Sequence, residues 1–147
     1  MKKILFMCVA NSARSQLAEG LARHLFGDQI EVQSAGSKPT KPNPFAIQVM
    51  KEIGIDISQH YSKTYDELPP RFLVDLDCVI TLCAEEICPV IVSKAKKIHW
   101  PFPDPAGHGG CDELQLQRFR ETRDAITAKL KASILVNGEA QSGYSNG

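Results

Sequence analysis

The chain of 147 residues is long enough for one domain with a substantial hydrophobic core. Its 17 basic and 17 acidic side chains balance, so the overall charge does not favour nucleic acid or an anionic membrane as a partner. The sequence contains no apolar run of the roughly 20 residues that a membrane-spanning helix needs. We therefore expect a cytoplasmic protein, in which five cysteines favour thiol chemistry over structural disulfides.

Predicted strands and helices alternate along the chain. Apolar runs predict strands over 3–7, 30–35, 77–82 and 96–99, and helical spacing of apolar residues predicts helices over 15–26, 44–53 and 112–135. The segment 56–70 is polar and rich in loops, with one helical turn predicted over 65–68. This alternation predicts an α/β fold in which helices cover both faces of a parallel sheet. We expect a single catalytic domain over 1–136 and a disordered tail over 137–147.

Cys8 follows the first predicted strand, and a short polar loop leads from it to Arg14 and the first helix. In such a loop the backbone N–H groups converge and the helix N-terminus adds positive potential, which stabilises a thiolate and binds an anion. Arg14 would grip two oxygens of that anion with its planar guanidinium. Ser12 and Ser15 offer hydroxyl groups to the sulfur, and Asn11 suits a left-handed loop position. We interpret Cys8 as a nucleophile that faces a tetrahedral oxyanion, with an inert core cysteine as the alternative.

Three segments that are remote in sequence lead to the same edge of the predicted sheet. Ligands of parallel sheets bind at the carboxyl ends of the strands. Cys8 ends the first strand, Cys83 follows the third, and the fourth leads through His99 to Asp104. Asp104 stands between two prolines that restrict its backbone, which suits a general acid that protonates a leaving oxygen. The alternative is an Asp-Pro turn without chemistry, and the convergence of the three segments favours the acid.

The remaining cysteines differ in their expected roles. Neighbouring strands lie about 4.7–4.9 Å apart, so Cys8 and Cys83 could form a disulfide after modest movement if strands one and three are adjacent. Cys88 is too far from Cys83 along a regular helix, so a bond between them requires the segment to unwind. We hypothesise a redox switch there; otherwise Cys83 ends a strand and Cys88 packs. Strand alternation places Cys78 in the core, Cys111 is interpreted as an incidental thiol, and no cysteine or histidine pair has the spacing of a zinc site.

Several short motifs of the chain match one family of enzymes. They are Cys8-x5-Arg14-Ser15, Ser15-Gln16-Leu17-Ala18-Glu19-Gly20, Ser34-Ala35-Gly36, Thr81-Leu82-Cys83 followed by Cys88-Pro89, and His99-Trp100 followed by Asp104-Pro105-Ala106. On these motifs the chain resembles the low-molecular-weight protein tyrosine phosphatases and, within them, the thioredoxin-coupled arsenate reductases. The resemblance covers nearly the whole chain up to the last helix. It implies a three-layer αβα sandwich with a four-stranded parallel sheet in the order 2-1-3-4.

The resemblance also implies an activity and its residues. Cys8 attacks arsenate while Asp104 protonates the departing oxygen, and the substrate-binding loop comprises Val9, Ala10, Asn11, Ser12, Ala13, Arg14 and Ser15. Cys83 then attacks the Cys8 sulfur and releases arsenite, and Cys88 moves the disulfide to the surface, where thioredoxin or a glutaredoxin-type protein reduces it. The family likeness implies a role in arsenic detoxification, with phosphate and sulfate as competing oxyanions and some aryl phosphatase activity. From the residues themselves we expect a cytoplasmic monomer without bound cofactor or metal, because nothing in the sequence demands a partner subunit.

The chain departs from the family pattern at three places. Ala10 and Ala13 stand where the loop of the family often has glycine and a second cysteine, and the gap between Cys83 and Cys88 is shorter than in the best-known members. In some relatives an acidic residue helps to hold a monovalent cation, and Lys63 takes its position here. The matching partners of that cation are Asn11, Glu19 and Ser34. We predict that the Lys63 ammonium replaces the cation.

Two other functions stay open at this point. The first is a phosphatase that acts on phosphotyrosine or another phosphomonoester, because both chemistries share the attack by Cys8. The second is a redox-regulated module that binds an anion without turnover. Cys83 separates the reductase from the phosphatase, because a phosphatase needs only the first cysteine.

Overall fold

The four strands form one parallel sheet. The computed structural model describes residues 2–84 and 94–133. Within them, the strands are β1 (Lys2–Cys8), β2 (Ile30–Gly36), β3 (Cys78–Thr81) and β4 (Lys96–His99). The strand order is β2-β1-β3-β4, and all three pairings are parallel. The predicted order 2-1-3-4 is confirmed. The predicted tail and Cys88 lie outside the described residues.

The helices cover the sheet on both faces. They are α1 (Arg14–Phe26), α2 (Pro44–Lys51), α3 (Pro70–Leu73) and α4 (Asp112–Lys131), with 3-10 turns at Gly27–Gln29 and Tyr65–Glu67. Apolar residues of α1, α2 and α4 form the larger core against one face of the sheet. Phe72 of α3 and Leu68 pack with Leu5, Met7 and Val79 on the other face. This arrangement confirms the three-layer αβα sandwich.

Strand alternation in β3 divides its residues between the two cores as predicted. Cys78 and Ile80 belong to the larger core, whereas Val79 belongs to the smaller one. Cys78 is 5% exposed, and burial raises the pKa of its thiol to about 12. The thiol is therefore protonated at neutral pH, which confirms Cys78 as a core residue.

Several predicted boundaries are wrong, each because of a local feature. Helix α2 ends at Lys51 instead of residue 53, because Ile53 N–H bonds to Met50 O in a tighter turn and Gly54 follows at φ 81°. Helix α4 ends at Lys131 instead of residue 135, where Ser133 closes the last turn onto the Leu130 carbonyl. Strand β3 is one residue shorter at each end than predicted. The short helix α3 was not predicted, because its four residues make a single turn, too short for a helical spacing of apolar residues to appear.

Candidate active site

Cys8 is the last residue of β1 and lies 2% exposed at the base of the loop before α1. Its sulfur is 2.9 Å from Ser15 Oγ, so the Ser15 hydroxyl supplies the predicted contact to the sulfur. The helix begins at Arg14 with Ala13 as its N-cap, a residue without any side-chain acceptor for the first N–H groups. Those N–H groups and the positive end of α1 therefore act on the space around the sulfur.

The carbonyl groups of the loop are turned away from that space. The carbonyl oxygens of Val9, Ala10 and Ser12 accept hydrogen bonds from N–H groups of residues 38, 40 and 43, at 2.9, 3.1 and 2.8 Å. In a planar trans peptide the C=O and the following N–H point in opposite directions. The next N–H groups, of Ala10, Asn11 and Ala13, are thereby directed away from the segment 38–43. This segment was not recognised in the sequence, because backbone hydrogen bonds leave no signature in residue types.

Gly36 permits the close approach of β2 to the loop. It pairs with Cys8 in the sheet register, and a Cβ added there would lie 2.4 Å from the Val9 carbonyl oxygen and 2.9 Å from Asn11 N. Cβ atoms are not found within 3.0 Å of such atoms. Any larger residue at this position would displace the loop that surrounds Cys8.

Asn11 holds the loop from beneath. Its φ of 50° is the predicted left-handed conformation. The buried side-chain amide donates to Ser15 Oγ at 2.7 Å and to Ser34 Oγ at 3.0 Å, and its Oδ1 accepts from Lys63 N at 3.0 Å. Ser34 in turn donates to Glu19 Oε1 at 2.5 Å. One asparagine thus links the loop to α1, β2 and the segment around residue 63.

Lys63 and Glu19 form a buried ion pair next to this network. Lys63 Nζ lies 4.0 Å from Glu19 Oε1, and both side chains are almost fully buried. Glu19 also pairs with Arg23 at 2.8 Å. Burial lowers the pKa of Lys63, and the Glu19 charge opposes this effect. The ammonium group therefore lies beside Glu19, one of the residues matching the cation ligands of some relatives, and its replacement of the cation stays a prediction.

Gln16 connects the loop to His60. Its amide donates to the carbonyl oxygens of Asn11 and Tyr61 at 3.1 and 3.2 Å, and its Oε1 lies 2.9 Å from His60 Nδ1. Because an amide oxygen only accepts, the His60 Nδ1–H donates in this contact. Desolvation by burial lowers the pKa of His60. Neither residue was assigned a role from the sequence, and Gln16 is fully buried.

The pocket above Cys8 is small and has a volume of about 130 Å³. Its lining consists of Cys8, Val9, Ala10, Ser12, Ala13, Arg14 and Asp104. Asn11 and Ser15, predicted to bind the anion, are not among these residues, because their side chains contact each other and the network beneath. The structure therefore places five of the seven predicted loop residues around the pocket and the other two in support of it.

Arg14 and Asp104 meet at the rim of the pocket. Arg14 is 3% exposed; its Nη1 donates to the Phe102 carbonyl at 2.9 Å, and its Nη2 lies 3.7 Å from Asp104 Oδ2. Asp104 Oδ1 accepts from Ala106 N at 3.0 Å. The guanidinium thus holds the segment of Asp104 next to the pocket that Cys8 lines, which brings together residues 90 positions apart in the chain.

Cys83 follows two residues after the end of β3 and does not line the pocket. Leu82 N donates to the Met7 carbonyl at 2.9 Å and thus continues the pairing of β1 with β3, so Cys83 follows one residue beyond the neighbour of Cys8. It is 1% exposed. Cys8, Cys78, Cys83 and Cys111 are thiols in the structure, and Cys111 is exposed.

Two further properties concern the residues in 2–84 and 94–133. Within these ranges no group of three or more histidine, cysteine or acidic side chains could hold a metal ion. In the same part of the chain, no helix combines the length and apolar character needed to cross a membrane.

The comparisons with known proteins agree with this geometry. The model of the low molecular weight phosphotyrosine protein phosphatase family matches residues 3–137. The arsenate reductase of Halalkalibacterium halodurans is 44% identical over 132 residues, which cover 88% of this chain and 93% of that protein.

Solved structures lead to the same group. A structure of an arsenate reductase in the phosphate-binding state has a TM-score of 0.73 and 32% identity, covering 93% of this chain and 98% of that one. The thioredoxin-dependent arsenate reductase of Corynebacterium glutamicum has a TM-score of 0.58 and 28% identity, with coverage of 87% and 61%. The chain therefore belongs to the low molecular weight phosphotyrosine protein phosphatase family and, within it, groups with the arsenate reductases.

Proposed function

We propose that this protein is a thioredoxin-dependent arsenate reductase that uses Cys8, Cys83 and Cys88 in succession. The observation that carries the proposal is the pairing of β1 with β3, by which the buried Cys83 directly follows Leu82, whose N–H bonds to the Met7 carbonyl just before Cys8. A phosphatase does not need this second thiol. The names of the similar proteins also favour the reductase over the phosphatase.

The first step is attack on the oxyanion. The Cys8 thiolate forms a bond to arsenic of an arsenate that Arg14 and the N–H groups of the loop hold. One oxygen leaves as water after Asp104 donates a proton to it. The pocket lining and the contact between Arg14 and Asp104 support these roles.

Two thiol exchanges follow. The Cys83 thiolate attacks the Cys8 sulfur; the sulfur–arsenic bond breaks, its electron pair reduces As(V) to As(III), and arsenite leaves. Cys88 then attacks Cys83 in the new disulfide and frees Cys8 as a thiolate. An external dithiol protein of the thioredoxin type reduces Cys83–Cys88 and takes up the oxidising equivalents. We propose a cytoplasmic monomer without a resident cofactor, in which phosphate and sulfate compete for the pocket.

The test supplies arsenate, thioredoxin, thioredoxin reductase and NADPH and measures NADPH consumption together with arsenite. The wild type should turn over, and Cys83→Ser should form no arsenite. Cys88→Ser should release about one arsenite per enzyme, because its Cys8–Cys83 disulfide cannot be passed on. Cys111→Ser, at an exposed thiol outside the pocket lining, is the matched control and should keep full turnover.

The phosphatase is distinguished in the same preparation. Hydrolysis of an aryl phosphate needs Cys8 and Arg14 but not Cys83, so some hydrolysis in both the wild type and Cys83→Ser is expected. If Cys83→Ser reduces arsenate at the wild-type rate, the cascade is wrong. If the wild type hydrolyses aryl phosphate rapidly and consumes no NADPH with arsenate, the protein is a phosphatase.

A further inference from the structure

We propose that His108 is a positioning residue that holds Asp104 over the oxyanion pocket. The proposal rests on the role of Asp104 as the proton donor in the proposed function. His108 Nε2 lies 2.6 Å from the main-chain carbonyl oxygen of Asp104, and because a carbonyl only accepts, the Nε2–H donates. This hydrogen bond closes a ring of five residues from the histidine back to the acid.

The backbone before Asp104 is held from the pocket side. Phe102 N donates to the Leu82 carbonyl at 3.1 Å, and the Phe102 carbonyl accepts from Arg14 at 2.9 Å. Pro103 and Pro105 on either side of the acid have no N–H group, so neither can anchor the segment as a donor.

The backbone after Asp104 can adopt many conformations because it contains three glycines. Gly107, Gly109 and Gly110 all have positive φ, at 81°, 72° and 93°. A Cβ added at Gly107 or Gly109 would have no heavy atom of the described residues within 4 Å, so packing does not confine these two positions. Since glycine adopts both positive and negative φ readily, these positions do not define the path of the segment by themselves. The path therefore depends on side-chain contacts.

Three such contacts fix this path. Arg118 Nη1 donates to the Gly109 carbonyl at 2.7 Å and Gln115 Nε2 donates to the Gly110 carbonyl at 2.9 Å, both from α4. The hydrogen bond from His108 to Asp104 is the third. Helix α4 thus holds the segment at Gly109 and Gly110. The hydrogen bond from His108 connects this restrained part of the segment to Asp104.

His108 does not line the oxyanion pocket, so its effect on the reaction must pass through Asp104. Without the hydrogen bond from His108, Ala106 N and Arg14 still contact the two carboxylate oxygens of Asp104. The main chain of Asp104, however, loses the contact that restrains it from the following segment. A misplaced acid slows proton transfer to the leaving oxygen without weakening the grip of Arg14 on the anion.

The experiment is a double-mutant cycle read in single turnover with enzyme in excess over arsenate. We expect His108→Leu to lower the maximal rate of arsenite formation by roughly three- to tenfold, the effect of one lost hydrogen bond, while the enzyme concentration that gives half of this rate stays unchanged. His108→Gln should recover the rate, because its amide N–H reaches about as far from Cβ as Nε2 does. His24→Leu, at an exposed histidine on α1, is the control and should match the wild type.

The background of Asp104→Asn separates positioning from general damage. If His108 acts through the acid, adding His108→Leu to Asp104→Asn should cause no further loss. A loss of the same size in both backgrounds, or a wild-type rate in His108→Leu, would overturn the proposal. Thermal unfolding checks the fold, and His108→Ala replaces the leucine variant if that one melts early.

Failure of the proposed function has a different signature. In that case the wild type forms no arsenite, or Asp104→Asn is as fast as the wild type. If both of these controls behave as proposed and His108→Leu is still fully active, only the positioning role of His108 is wrong.

Discussion

The two sides of the pocket are held in opposite ways. Beneath Cys8, the buried side chains of Asn11, Ser15, Ser34 and Glu19 form a continuous chain of hydrogen bonds. On the opposite side, Asp104 is carried by a partly exposed segment with three glycines at positive φ. The loop around Cys8 is thus fixed by buried polar groups, and Asp104 by a few contacts near solvent.

This difference has a physical reason in the chemistry. An anion site gains from N–H dipoles that are oriented before the substrate arrives, because no reorganisation is then needed during the reaction. An acid must donate a proton at one step and let oxygen leave, and the same side of the pocket must admit the substrate. Variants beneath the loop should therefore reduce both stability and activity, whereas variants around Asp104 should reduce activity alone.

The largest effect is expected for Gly36→Ala. The added Cβ would lie 2.4 Å from the Val9 carbonyl oxygen, so the loop must shift. A displacement near 1 Å at a reacting group can cost about a hundredfold in rate, and arsenite formation should fall by that order. Gly54→Ala is the control: it strains a positive φ of 81°, yet its Cβ would enter open space. An unchanged rate in Gly36→Ala would contradict the close-approach argument.

Asn11→Ala should lower the free energy of unfolding by about 1–3 kcal/mol, because buried partners lose their hydrogen bonds. Urea unfolding measures the change. Asn11→Gly accepts the φ of 50° and also lacks the amide, so it separates backbone conformation from hydrogen bonding. A glycine variant as stable as the wild type would mean that the network beneath the loop contributes little.

A smaller effect is expected on the pH dependence of stability, to which His60 contributes. Burial lowers the pKa of His60 from its ordinary value of 6.5, so just below 6.5 the unfolded chain binds a proton that the folded chain does not. The free energy of unfolding should therefore fall as the pH drops from about 7 through 6.5 toward the folded-state pKa. His60→Asn keeps a donor for Gln16 Oε1 and does not titrate. Urea midpoints at two pH values should show a weaker pH dependence in this variant; an equal dependence would exclude His60 as its source.

The smallest effect is expected on turnover when potassium is added to the assay. The Lys63 ammonium already lies 4.0 Å from Glu19 Oε1, which also accepts a hydrogen bond from Ser34, so potassium chloride should leave turnover at the rate seen in choline chloride of equal ionic strength. Strong activation of the wild type by potassium would refute this. Lys63→Ala removes the ammonium and is the variant in which a potassium effect is expected.

The sequence predicted the elements well wherever a pattern repeats over several residues. Strand β4 matches at both ends, and the prediction of helix α1 differs by one residue. The ends of α2 and α4 were wrong, because single turns such as those at Ile53 and Ser133 depend on hydrogen bonds instead of on periodicity. Helix α3 was missed because one buried phenylalanine in four residues makes no pattern.

The part of the site that is contiguous in the chain could be predicted from the residues alone. Cys8, the polar loop and Arg14 are contiguous, so their spacing alone indicates an anion site at a helix N-terminus. The convergence of strand ends also predicted the remote Asp104, whereas the other remote residues around the loop became visible only in the folded chain. The N–H groups of residues 38, 40 and 43 turn the loop carbonyls outward, Gly36 makes room for the loop, and Arg14 reaches the carbonyl of Phe102. Such contacts depend on strand register and backbone direction, which are set by packing across the sheet and are not encoded in any one segment.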